Sequence, residues 1–438
     1  MTEPRTAALA FLGCKVSQYE TAALATGFRQ AGLAVVPWGG PADIVVVNTC
    51  AVTARAASQS RQLVRRVARL QPAARLVVTG CHAQTAPDEL AASVAAPLCL
   101  VGNSAKDRLV ALALAEPWPA AGRHLAPMTD CRHVAQLPLP AMAGRTRAFL
   151  RVQDGCDNGC TYCIVPQARG PSRSLAPEAV LAQAQALAAA GYRELVITGI
   201  HAGAYGHDLA PPRSLAGLLR LLLAETRVPR LRVSSLEPSE ITPELLALFS
   251  AQPRLMPHFH IPLQSGDNGV LARMHRPYRM EDYRAVVQAV HAALPEAAIG
   301  ADVLVGFPGE DDAAFGRTAA LVEALPLSSL HVFAYSPRPG TLAAAMADQV
   351  PPADKERRRQ LLAGLDRDKR AAFAGRFLGQ ERPALIEGRP RRGIGLTGHT
   401  DNYLPVIVQG SSALVNALVR VRIGPPTAAG LLASVVAG

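Results

Sequence analysis

The stretch DGCDNGCTYCIVPQARG, Asp154 to Gly170, places three cysteines within eight positions, directly after the short apolar run RAFLRV. Cys156, Cys160 and Cys163 stand among glycines and polar residues, with Tyr162 between the last two. Three clustered thiols suit a disulfide knot, a zinc site, or an iron–sulfur cluster held one ligand short. Disulfides need an oxidising compartment. The N-terminal MTEPRTAALAFLGC has an apolar patch from Ala7 to Leu12, too short for a signal h-region and without a basic n-region. No apolar run approaches a membrane span. The expected location is therefore cytoplasmic, with no membrane association, which argues against the knot. Structural zinc takes four ligands in paired spacings, and no fourth Cys or His lies at a finger-like distance. A cubane takes one ligand per iron. Three thiolates from one loop then leave an iron open to the amino and carboxylate groups of a small molecule.

Downstream of this loop the chain repeats a pattern. ELVITGIH, RLRVSSLEP, HFHIPLQSG, AAIGADVLVGFPGE and LHVFAYSP read as strands, with helical stretches between most of them. With RAFLRV that makes a series of βα units, expected to form a full or partial (β/α) barrel with its site at the strand C-termini. Upstream, AALAFLGC, ADIVVVNTC and ARLVVTGC are short continuous apolar runs joined by helical stretches, the mark of a doubly wound α/β sheet. They end at Cys14, Cys50 and Cys81, at the edge where such sheets bind ligands. Buried cysteines can serve as small hydrophobes. Here each closes a strand and is flanked by turn-forming or polar residues (LGCK, NTCA, TGCH), which favours a second three-thiolate cluster. Cys99 and Cys131 fit neither pattern. Five prolines between Glu116 and Pro140 read as a linker. The last sixty or so residues alternate in short β runs such as YLPVIVQ and LVRVRI, a small all-β barrel.

Lys and Arg total 45 against 34 Asp and Glu, a net charge of +11. That excess suits a polyanionic partner; a compositional bias towards Ala and Arg is the alternative source of it. Nearly half of the 438 residues are hydrophobic, which excludes wholesale disorder.

Taken together, two open clusters and a terminal β module resemble the methylthiotransferase family of radical S-adenosyl-L-methionine (SAM) enzymes, from FLGCKVSQYET to GHTDNYLPVIV. GCKVSQYE, ITGIHAGAYG, SSLEP and HVFAYSPRPGT resemble the branch acting on N6-threonylcarbamoyladenosine in tRNA, with Ser17 standing where that branch often has Asn. The resemblance implies an iron–sulfur methylthiotransferase domain over 4–116, a linker over 117–141, a radical SAM core over 142–372 and a TRAM RNA-binding domain over 373–438. It implies two 4Fe-4S clusters, one on Cys156, Cys160 and Cys163 that cleaves SAM to a 5′-deoxyadenosyl radical, and one on Cys14, Cys50 and Cys81 that offers a methylated sulfur. Carbon 2 of the adenine just 3′ of the anticodon would receive the thiomethyl group, so the two sites must face each other. Implied partners are the tRNA anticodon loop, a reductant protein and a sulfur donor.

Within that scheme Tyr162, Thr198, Gly199, Glu237, Gln264 and Gly306 are candidates for SAM contacts, Gly306 by letting the adenine approach the backbone. Arg169 and Arg173, at the mouth of the site, are candidates for substrate or cofactor charge recognition or for RNA binding, with exposed salt bridging as the plain alternative. Arg389, Arg391 and Arg392, with Arg357 to Arg359, are candidates for tracking phosphates. His258 and His260 read as packing or hydrogen-bonding residues, and Asn402 and Tyr403 as packing or RNA contacts. Competing functions are methylthiolation of isopentenyladenosine or of a ribosomal protein, and a non-catalytic iron–sulfur RNA-binding protein.

Overall fold

Why the N-terminal region folds as it does is clearest at IVVVNT, Ile44–Thr49, whose six residues are all buried. Ile44 and Val46 face one way, onto Tyr19, Leu24 and Phe28 of the helix Lys15–Gln30. Val45 and Val47 face the other, onto Val64 and Val67 of the helix Ala54–Leu70. A strand covered on both faces must be apolar throughout, and β-branched residues suit it. The computed structural model describes residues 5–137, 139, 141–142, 144–389, 394–427 and 430–436. The first sheet comprises β1 (Thr6–Phe11), β2 (Ala34–Val36), β3 (Ile44–Thr49), β4 (Arg75–Gly80), β5 (Cys99–Val101) and β6 (Arg123–His124), all parallel, in the order β2-β1-β3-β4-β5-β6. From β1 the chain first steps outward to β2 and then across to β3. The ends of β1 and β3 therefore form the topological switch point.

The proline-rich stretch read as a linker is tied down. It supplies β6, and its Leu137 and Leu139 are buried in the main core. Next come β7 (Arg147–Arg151), β8 (Gln153–Asp154), β9 (Arg173–Ser174), β10 (Glu194–Thr198), β11 (Arg230–Val233), β12 (His258–His260), β13 (Ala298–Val305) and β14 (Ser329–Ala334). Six of these form two parallel three-stranded sheets, β11-β10-β7 and β12-β13-β14, linked by a parallel bridge between Leu231 and Leu255. Among the described residues β14 does not pair with β7, so the barrel is partial. The helix Lys15–Gln30 of the first unit lies against β7.

After the helix Pro352–Gly375, which packs on β14, five strands close a small barrel. They are β15 (Glu381–Gly388), β16 (Leu396–Thr400), β17 (Pro405–Val408), β18 (Leu418–Thr427) and β19 (Gly430–Val435). Ala384, Ile386, Leu396, Val406, Val421 and Ile423 fill it. This barrel docks at the entrance end of the core strands. Arg230 Nη2 donates to the Pro383 carbonyl at 2.7 Å, and Asn402 Nδ2 to the Glu296 carbonyl at 3.1 Å. Tyr403 holds a left-handed backbone, φ 70°, uncommon for a bulky residue. Its ring stacks on His399 at 4.7 Å and lies 4.5 Å from that of His258, with the Arg147 and Arg232 guanidiniums over it at 5.3 and 4.6 Å. Asn402 and Tyr403 are thus docking residues, and His258 packs as expected. No helix among the described residues is long and apolar enough to cross a membrane.

Candidate iron–sulfur and radical site

Cys14, Cys50 and Cys81 follow β1, β3 and β4, three adjacent strands. Register brings the last two side by side, because Thr49 pairs with Gly80 immediately before them. Gly80 has φ 97°, and a Cβ there would collide with the Thr49 carbonyl. Only glycine tolerates that turn without strain. Gly13 is also left-handed, and a Cβ on it would lie 3.3 Å from Cys50 Sγ. The close approach of Gly13 to Cys50 links the first and second thiols.

The second triad hangs between β8 and β9, which pair Asp154 with Arg173 and pinch the base of the cysteine loop. Gly155, again left-handed, precedes Cys156, whose N–H donates to the Gly170 carbonyl at 3.1 Å.

The two triads share a wall. Cys81 packs with Ala51, Ile164 and Ala168, and Ile164 is the neighbour of Cys163. The short helix Cys81–Thr85 lies on the helix Val165–Arg169. Asn103 Nδ2 donates to the Ala168 carbonyl at 2.7 Å and sits 4.0 Å from Cys81 Sγ. Behind this wall runs a buried ionic chain. Arg169 Nη1 is 3.0 Å from both Glu20 Oε1 and Asp154 Oδ1, and Lys106 Nζ is 2.6 Å from Glu20 Oε2. Burial alone would raise both carboxyl pKa values, but Arg169, with Lys106 beside Glu20 and Arg151 beside Asp154, outweighs it and holds them low. Arg169 is 1% and Arg173 5% exposed. Arg173 donates to Cys131 Sγ at 2.7 Å, to the His133 carbonyl at 2.9 Å and to the Arg169 carbonyl. Neither arginine can reach RNA, which corrects that expectation; they key the two cysteine regions together. Cys99 is a core residue of β5.

The thiols suit iron–sulfur ligation. Among the described residues neither triad brings all its sulfurs within 4.8 Å of one another. Four-coordinate zinc, with bonds of about 2.3 Å, would need them that close, whereas a cubane spreads its thiolates over separate irons. Donors already point at the sulfurs: Arg276 Nη1 at 3.2 Å from Cys160, the Val165 N–H at 3.4 Å from Cys163, and His201 Nδ1 at 3.7 Å from Cys156. Such contacts stabilise bound thiolates and tune a cluster. Burial pushes the free Cys50 thiol up to about 11 and Cys163 up to about 12. Burial opposes charge on His201 too, but Cys156 and Glu240 prevail and push it up to about 10.

The SAM candidates fall along the carboxyl edge of the partial barrel. Buried Thr198 ends β10, and its carbonyl accepts from Val152 N at 2.9 Å. Gly199 lies so close to Gln153 that a Cβ would stand 2.7 Å from Oε1. Glu237 pairs with Arg276, which also touches Cys160, so cluster loop and carboxylate are joined through one guanidinium. Gln264 is left-handed, φ 61°, and bridges to Val303 of β13. Tyr162 stands edge-on to Phe307, 6.4 Å between centroids. Gly306 has φ 71°, and a Cβ there would strike the stem of Lys355.

Arg276 and His201 escaped the sequence reading. His201 follows directly on the TGI turn quoted for the cofactor, and that adjacency is its one sequence signal; Arg276 lies 116 residues from Cys160 and has none. The three arginines of the helix Pro352–Gly375 are engaged within the protein. Arg357 meets Asp312 at 2.8 Å, buried Arg358 meets Glu310 at 2.8 Å and Arg359 meets Glu356 at 2.6 Å. Burial removes Arg358 from any phosphate, which corrects that expectation for it, whereas Arg357 stays exposed and Arg359 half-exposed beside their carboxylates. Arg389 is exposed, and Arg391 and Arg392 lie outside the described residues.

Comparisons with known proteins agree with this geometry. A family model described as "Uncharacterized protein family UPF0004" matches residues 6–102, and one described as "Radical SAM superfamily" matches residues 150–322. The threonylcarbamoyladenosine tRNA methylthiotransferase MtaB of Bacillus subtilis is 38% identical over 428 residues, 95% of this chain and 93% of that one. The MtaB of Thermotoga maritima is 35% identical, covering 91% and 90%. The tRNA-2-methylthio-N(6)-dimethylallyladenosine synthase of Geobacter metallireducens is 34% identical, covering 94% of each chain. Among solved structures, the radical S-adenosylmethionine methyltransferase TsrM of Kitasatospora setae superposes with a TM-score of 0.56 at 17% identity, over 78% of this chain and 75% of that one.

Proposed function

This chain belongs to the radical SAM methylthiotransferases, and we propose that it methylthiolates carbon 2 of N6-threonylcarbamoyladenosine at position 37 of tRNA. The observation that carries the reading is the shared wall: two thiol triads on separate domains, packed through Cys81 and Ile164 and locked by Arg169. Clusters and SAM supply, when bound, the one-electron reduction, hydrogen abstraction and sulfur transfer that acid–base groups cannot provide.

The chain's own residues hold and orient. Cys156, Cys160 and Cys163 present thiolates from one loop, with His201 and Arg276 stabilising their negative charge. Glu237, fixed by Arg276, offers a carboxylate beside that loop. Cys14, Cys50 and Cys81 would hold the auxiliary cluster beyond the ends of β1, β3 and β4. Elsewhere in the partial barrel His260 Nε2 lies 2.8 Å and His331 Nδ1 3.2 Å from Asp302 Oδ1. The modified adenosine flanks the anticodon, so the anticodon loop must reach this cleft while the small barrel and exposed Arg389 meet the RNA elsewhere. A protein reductant supplies the electron, and a sulfur donor replenishes the transferred atom. Nucleoside mass spectrometry of tRNA from a strain lacking the gene tests the reading. 2-Methylthio-N6-threonylcarbamoyladenosine should vanish and its unthiolated precursor accumulate. Loss of the dimethylallyl derivative instead would overturn the substrate assignment.

A further inference from the structure

The parallel strands β12, β13 and β14 lie side by side, and their register gathers three ligand-type side chains on one face. His260 pairs with Gly300. Asp302, two residues further along β13 and so on the same face, pairs with His331. The alternate residues of β13, Ala301, Val303 and Val305, are buried in the main core, so the three polar side chains face away from it.

His260 Nε2 is 2.8 Å and His331 Nδ1 3.2 Å from Asp302 Oδ1. A carboxylate has two oxygens to offer two donors. Here both imidazoles make their nearest approach to the same one, as ligands around a common point do. One donor atom from each of the three side chains lies within 4.8 Å of the other two, and the two rings stand 4.9 Å apart at 32°. Metal bonds of about 2.1 Å meeting at roughly 90–110° set neighbouring donors about 3.0–3.4 Å apart. The two measured separations are close to those edges.

The donor set narrows the ion. Calcium and magnesium take oxygen ligands, and cuprous copper takes sulfur. Two imidazoles with one carboxylate suit zinc or ferrous iron. Access is open, because the side chain of His331 is 57% exposed, against 23% for Asp302 and 12% for His260. Three protein ligands leave at least one coordination position for water or a substrate oxygen.

We propose that His260, Asp302 and His331 form a mononuclear site for a divalent transition cation, built from none of the six cluster cysteines. The inference stands on this geometry and is independent of which nucleoside is modified.

The test uses full-length, anaerobically reconstituted protein, passed over a chelating resin and then titrated with zinc. Wild type should take up one equivalent of zinc while keeping its iron. X-ray absorption at the zinc edge should show nitrogen and oxygen neighbours with imidazole scattering, and no sulfur shell at about 2.3 Å. His331→Ala should keep its iron content and unfolding midpoint, because that side chain is exposed. Its zinc affinity should fall by more than about 100-fold, since even the outer partners of metal ligands are worth about 10–100-fold. Should His331→Ala lose iron, Asp302→Asn, which keeps the shape of the side chain, is judged on the same readouts. No zinc uptake by the wild type overturns the proposal and leaves a hydrogen-bonded Asp–His pair only. A sulfur shell overturns it by placing zinc on the cysteines, and so does undiminished zinc binding in a variant that has kept its iron.

Discussion

The two thiol triads solve one chemical problem by opposite routes. Cys156, Cys160 and Cys163 come from a single loop pinched by β8 and β9, and eight residues of sequence suffice to define them. Cys14, Cys50 and Cys81 come from three strand ends, and only parallel register in one sheet unites them. A local site is set by spacing and can be recognised as a motif. A dispersed one depends on the whole sheet, so its ligands are visible only as a recurring position, the residue after a buried strand.

The sharpest way to break this comparison is to remove one ligand from each. Reconstituted wild-type protein should hold about eight irons, four per cubane. Cys160→Ala should retain about four and lose both SAM cleavage and product. Cys50→Ala should also retain about four and lose product, yet still form 5′-deoxyadenosine, measured by chromatography. Equal loss of SAM cleavage in both would erase the division of labour.

Iron uptake should show the next largest effect. Burial favours the protonated thiol at Cys50, Cys81 and Cys163, so loading must expel protons. Apparent iron affinity should rise between pH 7 and pH 8, by up to about tenfold for each proton expelled. An anaerobic iron titration that is independent of pH would contradict buried ligands in both triads.

Arg169→Met probes the wall between them. It strands the buried Glu20 and Asp154 carboxylates, and breaking such a pair costs about 3–5 kcal/mol. A denaturant midpoint shifted to that degree is expected, with iron lost from both sites together. A loss below about 1 kcal/mol would mean that the triads are not keyed through this residue. The smallest effect belongs to the periphery. Arg389→Ala should weaken tRNA binding by a small factor and lower the slope of log affinity against log salt by about 0.7–0.9 per lost phosphate contact. An unchanged slope would remove Arg389 from the interface.

Nine α/β strands, six cysteines and a terminal β barrel were legible in the sequence, because apolar runs and turn residues act over a few positions. Reading failed where a charge was assigned a role from its neighbourhood alone. Arg169 and Arg173 stand in a polar, glycine-flanked loop that looks like the mouth of a site, yet both are buried. Arg358 stands in a basic run that looks solvated, yet it is buried against Glu310, 48 positions away.

By itself the sequence determined which residues stand at strand ends and that two sets of three are thiols, since hydrophobic periodicity and turn chemistry are short-range. Only the tertiary structure decided which charges meet. Glu20, 149 positions before Arg169, joins the two cysteine regions. The reason is physical: a buried charge takes whatever compensating group the fold brings within about 4 Å, and no local pattern records that encounter.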